Sequence, residues 1–159
     1  MEYTSSITLR HTLATLAYRL ARAIRNAPPE FADFKAGNGT RTPVVILAHI
    51  GDLMDWSLTG VNGAMEWRTA KPLPWDQEVI RVFAAIERLD QRLSSDSPIQ
   101  CPGERLFQGP LADALTHVGQ ISTLRRVAGS ATGGENYYVA EIVEGRVGLD
   151  QAKPKKEFA

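Results

Sequence analysis

The chain has 159 residues, of which 43% are hydrophobic and 23% are charged, as in an ordinary globular protein. Its 18 basic and 18 acidic side chains give no net charge, so no long-range field would draw it to nucleic acid or to an anionic membrane surface. Cys101 is the single cysteine, which excludes an internal disulfide, and no apolar run is long enough to predict a membrane span or an export signal. These features predict a cytoplasmic protein with one domain over residues 1–159.

Apolar residues recur at helical spacing in four segments, which predicts four helices. The first is expected to begin at a Ser5 or Ser6 cap and to end near Arg25. The second begins at Thr42-Pro43, since threonine can cap free amides and proline suits the first helical position. Gly129 can take the left-handed conformation that ends a helix. The four predicted ranges are about 5–25, 43–62, 74–93 and 110–129.

Proline and glycine accumulate between these segments, so residues 26–40, 63–74 and 94–108 are predicted to be loops. Residues 135–148 are too short and too broken for a fifth core helix. They predict a docked tail with one or two helical turns, in which Tyr137, Tyr138, Ile142 and Val143 cover one end of the bundle. Residues 150–159 are expected to fray. The predicted fold is therefore all-α, an antiparallel four-helix bundle with a short C-terminal docked tail.

Three polar side chains fall on one line of the fourth predicted helix. Asp113, His117 and Gln120 are four and three residues apart, so they project into the same volume. His49 lies on the shoulder of the second helix, beside its inward row, and could face the first two from across the protein. Two imidazoles and a carboxylate suit a divalent cation, which predicts a metal site formed by His49, Asp113 and His117.

Each of these residues also has a purely structural explanation. A histidine that borders a core is usually a hydrogen-bonded structural residue, and Asp113 with His117 could form only a local pair on the helix surface. Asp52 and Gln120 each follow a histidine by three positions and could contact a metal ligand or its water, although Asp52 is more often expected in solvent. Trp56 could line a pocket or simply join the core.

The order and separation of these segments resemble the DinB-like (DinB/YfiT) family of metal-binding four-helix bundles. The resemblance covers most of the chain and depends on three stretches, which are Leu47-Ala-His-Ile-Gly-Asp-Leu-Met-Asp-Trp56, His117-Val-Gly-Gln-Ile121 and the tail from Glu135-Asn-Tyr to Val-Glu-Gly-Arg-Val-Gly148. It implies a divalent ion held by one histidine of the second helix and an H-x-x-x-H pair of the fourth. His49 and His117 match the first and last ligands, whereas Asp113 stands where the family has its middle histidine. Zinc, nickel, iron(II) and manganese all suit this ligand set.

Two functions remain open from the sequence. The resemblance implies a metal-dependent transferase or isomerase that uses a low-molecular-weight thiol and an electrophilic substrate, as in bacillithiol S-transferases and mycothiol-dependent isomerases. The alternative is a metal-binding stress or interaction protein in which the ion stabilises the bundle without turnover. A homodimer is expected in either case.

Overall fold

Helices make up most of the chain in the computed structural model, which describes the backbone of residues 2–158 and the side chains of residues 6–158. The α-helices of this described part are α1 Glu2–Ile24, α2 Pro43–Val61, α3 Trp75–Ser94, α4 Gly103–Leu106 and α5 Ala112–Val127. The prediction of an all-α protein is confirmed. The expected cap at the start of α1 is wrong, because the helix already includes Ser5 and Ser6. The Ser6 hydroxyl instead donates to the carbonyl of Leu93 on α3, at 2.6 Å.

The fourth predicted helix begins earlier than expected. A π-helical turn at Phe107–Leu111 joins α4 to α5, so residues 103–108, which were predicted to be loop, are helical. Pro110 lies inside this turn. Because proline has no N–H and its ring collides with the carbonyl four residues earlier, a wider turn lets the helix continue through it. Pro110 therefore marks a widened turn within the helix rather than its beginning.

The apolar faces of the helices meet in one core. Its most deeply buried side chains come from all the long helices and include Leu13, Leu16 and Leu20 of α1, Ile46 and Ile50 of α2, Val82, Ile86 and Leu89 of α3, and Ala114 and Ile121 of α5. Both α1 and α2 contact α3 and α5. By length and composition α2 is apolar enough to cross a membrane, but 67% of its most apolar window is buried inside the molecule. Its apolar surface is thus used in the core.

The predicted docking of the C-terminal tail is confirmed in part, since Tyr137 lies in a 3-10 helical turn (Tyr137–Val139) and its ring packs edge-on against Tyr18 of α1, with centroids 6.2 Å apart. Tyr138 is 97% exposed and Val143 is also exposed, so the expectation that they cover an end of the molecule is wrong. The Tyr18 hydroxyl on α1 instead donates to the buried carboxylate of Glu135, and Val147 enters the core. The last residues described do not fray, since β2 (Glu157–Phe158) pairs antiparallel with β1 (Gly134–Glu135).

Candidate metal centre

The three side chains predicted as metal ligands come together between two helices. His49 projects from α2, while Asp113 and His117 project from the first two turns of α5. The Nε2 atom of His49 lies 3.7 Å from one oxygen of Asp113, and the Nε2 atom of His117 lies 3.5 Å from the other oxygen. The two imidazole rings are perpendicular, with their centroids 4.7 Å apart. One ligand atom from each residue falls within 4.8 Å of the other two.

These separations fit a cation better than they fit hydrogen bonds. An N–H···O bond spans about 2.7–3.2 Å, so both imidazole–carboxylate distances are too long for one. In a tetrahedral site with bonds of about 2.0–2.2 Å, neighbouring ligand atoms lie about 3.3–3.6 Å apart. Small side-chain rotations would therefore place all three donors around one ion. His117 is buried, whereas the side chain of Asp113 is 49% exposed, so the group of donors is open on one side.

Gln120 orients the imidazole of His117. Its side-chain oxygen lies 2.8 Å from Nδ1 of His117 and can only accept a hydrogen bond. In the neutral imidazole this contact places the ring proton on Nδ1, which leaves the lone pair of Nε2 on the side of Asp113. Metal-binding histidines are commonly held in one tautomer by such an outer contact. The side chain predicted to lie next to the ligands thus contacts one of them.

His49 is held in its neutral form by its surroundings. Burial lowers the pKa of His49 below its usual value, and electrostatic repulsion involving His117 and Arg41 lowers it further, while Asp113 acts in the opposite direction. A histidine binds a metal through a neutral nitrogen, so the low pKa keeps the lone pair available at neutral pH.

A loop tryptophan that the sequence did not indicate completes the surroundings of His49. The Trp67 ring packs against His49 with centroids 5.6 Å apart, and it also contacts the Trp56 ring, with centroids 5.7 Å apart. Trp67 lies in the connection between α2 and α3, where the sequence shows only a break in regular structure. Trp56 is partly buried, packs against the core and contacts Trp67, but it does not line the cavity beside the candidate ligands.

Asp52 lies elsewhere, and the expectation that it is solvated is wrong. Its side chain is 4% exposed, forms an ion pair with Arg81 of α3 and accepts a hydrogen bond from the backbone N–H of Ala70 at 3.1 Å. These partners occupy both carboxylate oxygens. Asp52 therefore connects α2 to α3 and to the loop that carries Trp67, and it is not a contact of the metal ligands.

The three candidate ligands face a cavity of about 880 Å³. Its wall includes Ile46 and Leu124 as apolar surfaces, Arg41 as a cation, and Thr40, Thr116, Gly119, Gln120 and Thr123. Cys101 is not among these lining residues, and burial raises the pKa of its thiol, so the protein's own cysteine is not a ready nucleophile here. The arrangement can hold a divalent cation next to a space large enough for a small organic ligand.

Comparison of the chain with family models, with curated proteins and with solved structures finds no match.

Proposed function

We propose that the protein binds one divalent metal ion through His49, Asp113 and His117. The observation that carries this proposal is the convergence of one donor atom from each of the two imidazoles and the carboxylate, all within 4.8 Å of one another and beside a cavity. The contact of His117 with Gln120 supports it, because metal-binding histidines are commonly oriented by a hydrogen bond from their other ring nitrogen. Zinc, nickel, iron(II) and manganese all suit two imidazoles and one carboxylate.

We further infer that the helices form an antiparallel four-helix bundle of the DinB-like (DinB/YfiT) kind. Support comes from the contacts of α1 and α2, each of which touches both α3 and α5, as in a closed ring of four helices. The candidate ligands lie on α2 and α5, where the resemblance to that family expects them. The carboxylate of Asp113 then takes the place of the middle histidine, so the protein supplies two neutral ligands and one anion.

The proposed activity is transfer or isomerisation with a low-molecular-weight thiol, in the cytoplasm. A divalent cation held by three protein groups would lower the pKa of a thiol that binds beside them, which supplies a thiolate at neutral pH. The chain's own part is to hold His49 neutral, to fix the tautomer of His117 and to leave one side of the centre open to the cavity. Trp67 packs against the ring of His49.

A second function is favoured by the position of the ligands on two different helices. An ion shared by α2 and α5 would cross-link them and stabilise the folded chain even without turnover. A ligand at a hundred times its dissociation constant adds about 2.7 kcal/mol to the free energy of unfolding. For a chain of this size that corresponds to a rise of about 5–10 °C in Tm.

Metal content of the purified protein tests the site. We expect about one ion per chain in the wild type and in His11→Ala, whose histidine is exposed on α1. His49→Ala should carry much less metal after the same purification while keeping its helical circular dichroism spectrum. Equal metal content in His49→Ala and in the wild type would contradict the proposed ligand set.

Assays of turnover distinguish a thiol-dependent enzyme from a protein in which the metal ion only stabilises the fold. Metal-dependent consumption of a thiol and an electrophile that is lost in His117→Ala, with the fold retained, would support the enzyme. A metal-dependent rise in Tm with no turnover of electrophiles by any thiol would support the stabilising ion instead.

A further inference from the structure

Arg41 is a cation on the cavity wall with no acidic partner among the described side chains. It precedes α2, lines the same cavity as His49 and is exposed. By contrast, Arg81 and Arg88 both form ion pairs within the protein. The guanidinium is thus free to bind something that enters the cavity.

Apart from the side-chain amide of Gln120, the other side chains on the cavity wall outside the three candidate ligands offer an anion few hydrogen-bond donors. The hydroxyl protons of Thr40, Thr116 and Thr123 are donated to carbonyl oxygens of Gly37, Ala112 and Gly119, at 2.8–3.0 Å. Those hydroxyls can therefore only accept hydrogen bonds from a ligand. Ile46 and Leu124 are apolar. A charged donor on this wall is supplied by Arg41, whose planar guanidinium can bind both oxygens of a carboxylate.

The charge of the site also favours an anion, a step that relies on the proposed metal. Asp113 contributes one negative charge and cancels half of the charge of a divalent ion. Arg41 then adds one positive charge, so the loaded site would carry two net positive charges. A site of that sign raises the local concentration of anions and disfavours cations.

We propose that the cavity takes a small molecule that carries a carboxylate, with the carboxylate bound by Arg41 and the reacting end at His49, Asp113 and His117. An apolar middle would lie against Ile46 and Leu124. A cavity of about 880 Å³ is within the usual range for sites that hold small organic ligands. The carboxylate belongs either to the thiol or to the second substrate, and the experiment distinguishes the two.

Two thiols that differ only at the far end test the role of Arg41. The protein is loaded with Co²⁺, and binding of 3-mercaptopropionate and of 3-mercaptopropan-1-ol is followed by the thiolate-to-cobalt absorption band. We expect the wild type to bind the carboxylate thiol on the order of tenfold more tightly than the alcohol. Arg41→Gln should bind both about equally. Arg126→Gln, which removes an exposed arginine of α5 outside the cavity, should keep the wild-type preference.

Failure of this proposal is distinguishable from failure of the metal site. If cobalt binds and Arg41→Gln discriminates between the two thiols as the wild type does, the role of Arg41 is wrong and the metal site stands. If cobalt does not bind or neither thiol changes its spectrum, butyrate is titrated by calorimetry into the wild type and into Arg41→Gln. Equal affinities for butyrate overturn the role of Arg41, whereas binding that is weakened in Arg41→Gln supports it.

A last titration determines whether the thiol or the second substrate carries the carboxylate. Butyrate is added to cobalt-loaded protein already saturated with 3-mercaptopropan-1-ol. Binding that depends on Arg41 supports the proposal and assigns the carboxylate to the second substrate. If the wild type prefers 3-mercaptopropionate but butyrate shows no Arg41-dependent binding to the alcohol-saturated protein, the proposal is also supported. The carboxylate then belongs to the thiol.

Discussion

His49 and Asp52 lie three residues apart on α2 but belong to clusters of opposite character. His49 faces α5, where its ring packs against that of His117 and its Nε2 atom lies 3.7 Å from Asp113, a distance too long for a hydrogen bond. Asp52 faces α3, where Arg81 and the backbone of Ala70 occupy both of its oxygens. The first cluster borders a cavity, whereas the second is packed between two helices and a loop.

The difference shows how a structural polar group can be told from a functional one. In the Asp52 cluster every charge has a partner inside the protein, since Glu78, which is 0% exposed, contacts Arg81 at 3.3 Å and accepts from the N–H of Leu73 at 2.8 Å. Such a network fixes the positions of its members and leaves them no capacity for a ligand. Lone pairs left free beside a cavity, as at His49, indicate a binding site.

Removing Arg81 would have the largest effect, because it breaks the satisfied cluster. Arg81→Met would leave Asp52 and Glu78 buried next to each other without their cation. We expect the free energy of unfolding to fall by about 3 kcal/mol, as is typical when one partner of a buried ion pair is removed. Urea denaturation followed by circular dichroism measures this change.

Arg88→Met is the matched control. Arg88 lies on the same helix and forms an ion pair with Asp55 at 2.9 Å, but both side chains are more than 40% exposed. Exposed pairs of this kind contribute little, so its loss should cost less than about 1 kcal/mol. Similar losses in the two variants would contradict the distinction drawn between buried and exposed pairs.

Removing the side-chain oxygen of Gln120, which accepts a hydrogen bond from His117, tests the corresponding contact at the metal centre. Gln120→Leu leaves Nδ1 of His117 without its partner, so the ring can turn and its tautomer is no longer fixed. We expect affinity for Zn²⁺, measured by competition with a chelator, to fall about tenfold. Gln120 is exposed, so the fold should be retained.

Gln120→Glu tests the reason for that loss, since it keeps an acceptor in the same place. Its affinity should stay close to that of the wild type. Gln91→Leu changes an exposed glutamine of α3 and should have no effect. Equal affinities in Gln120→Leu and in the wild type would show that the hydrogen bond does not orient His117.

Periodicity predicts the parts of the site that share a helix. Asp113 and His117 are one turn apart on α5, so their spacing alone brings them together, and His49 could be placed beside the inward row of α2. The prediction that Asp52 is solvated is wrong because its environment depends on Arg81 of another helix, and no local sequence pattern reveals that contact. Trp67 and Arg41 lie outside the helices, where there is no period to predict the direction of a side chain.

The smallest expected effect is on the pH dependence of the metal-free protein. Burial and electrostatic repulsion involving His117 and Arg41 lower the pKa of folded His49, while Asp113 opposes them, so the unfolded chain takes up the proton first as the solution is acidified. The free energy of unfolding should therefore decrease as the pH falls through the ordinary histidine pKa of about 6.5. Part of this decrease should be missing in His49→Asn, measured by urea denaturation in chelator between about pH 7.5 and 5.5. The same pH dependence in both proteins would show that folding does not oppose the charging of His49, and the free lone pair inferred there would lose its support.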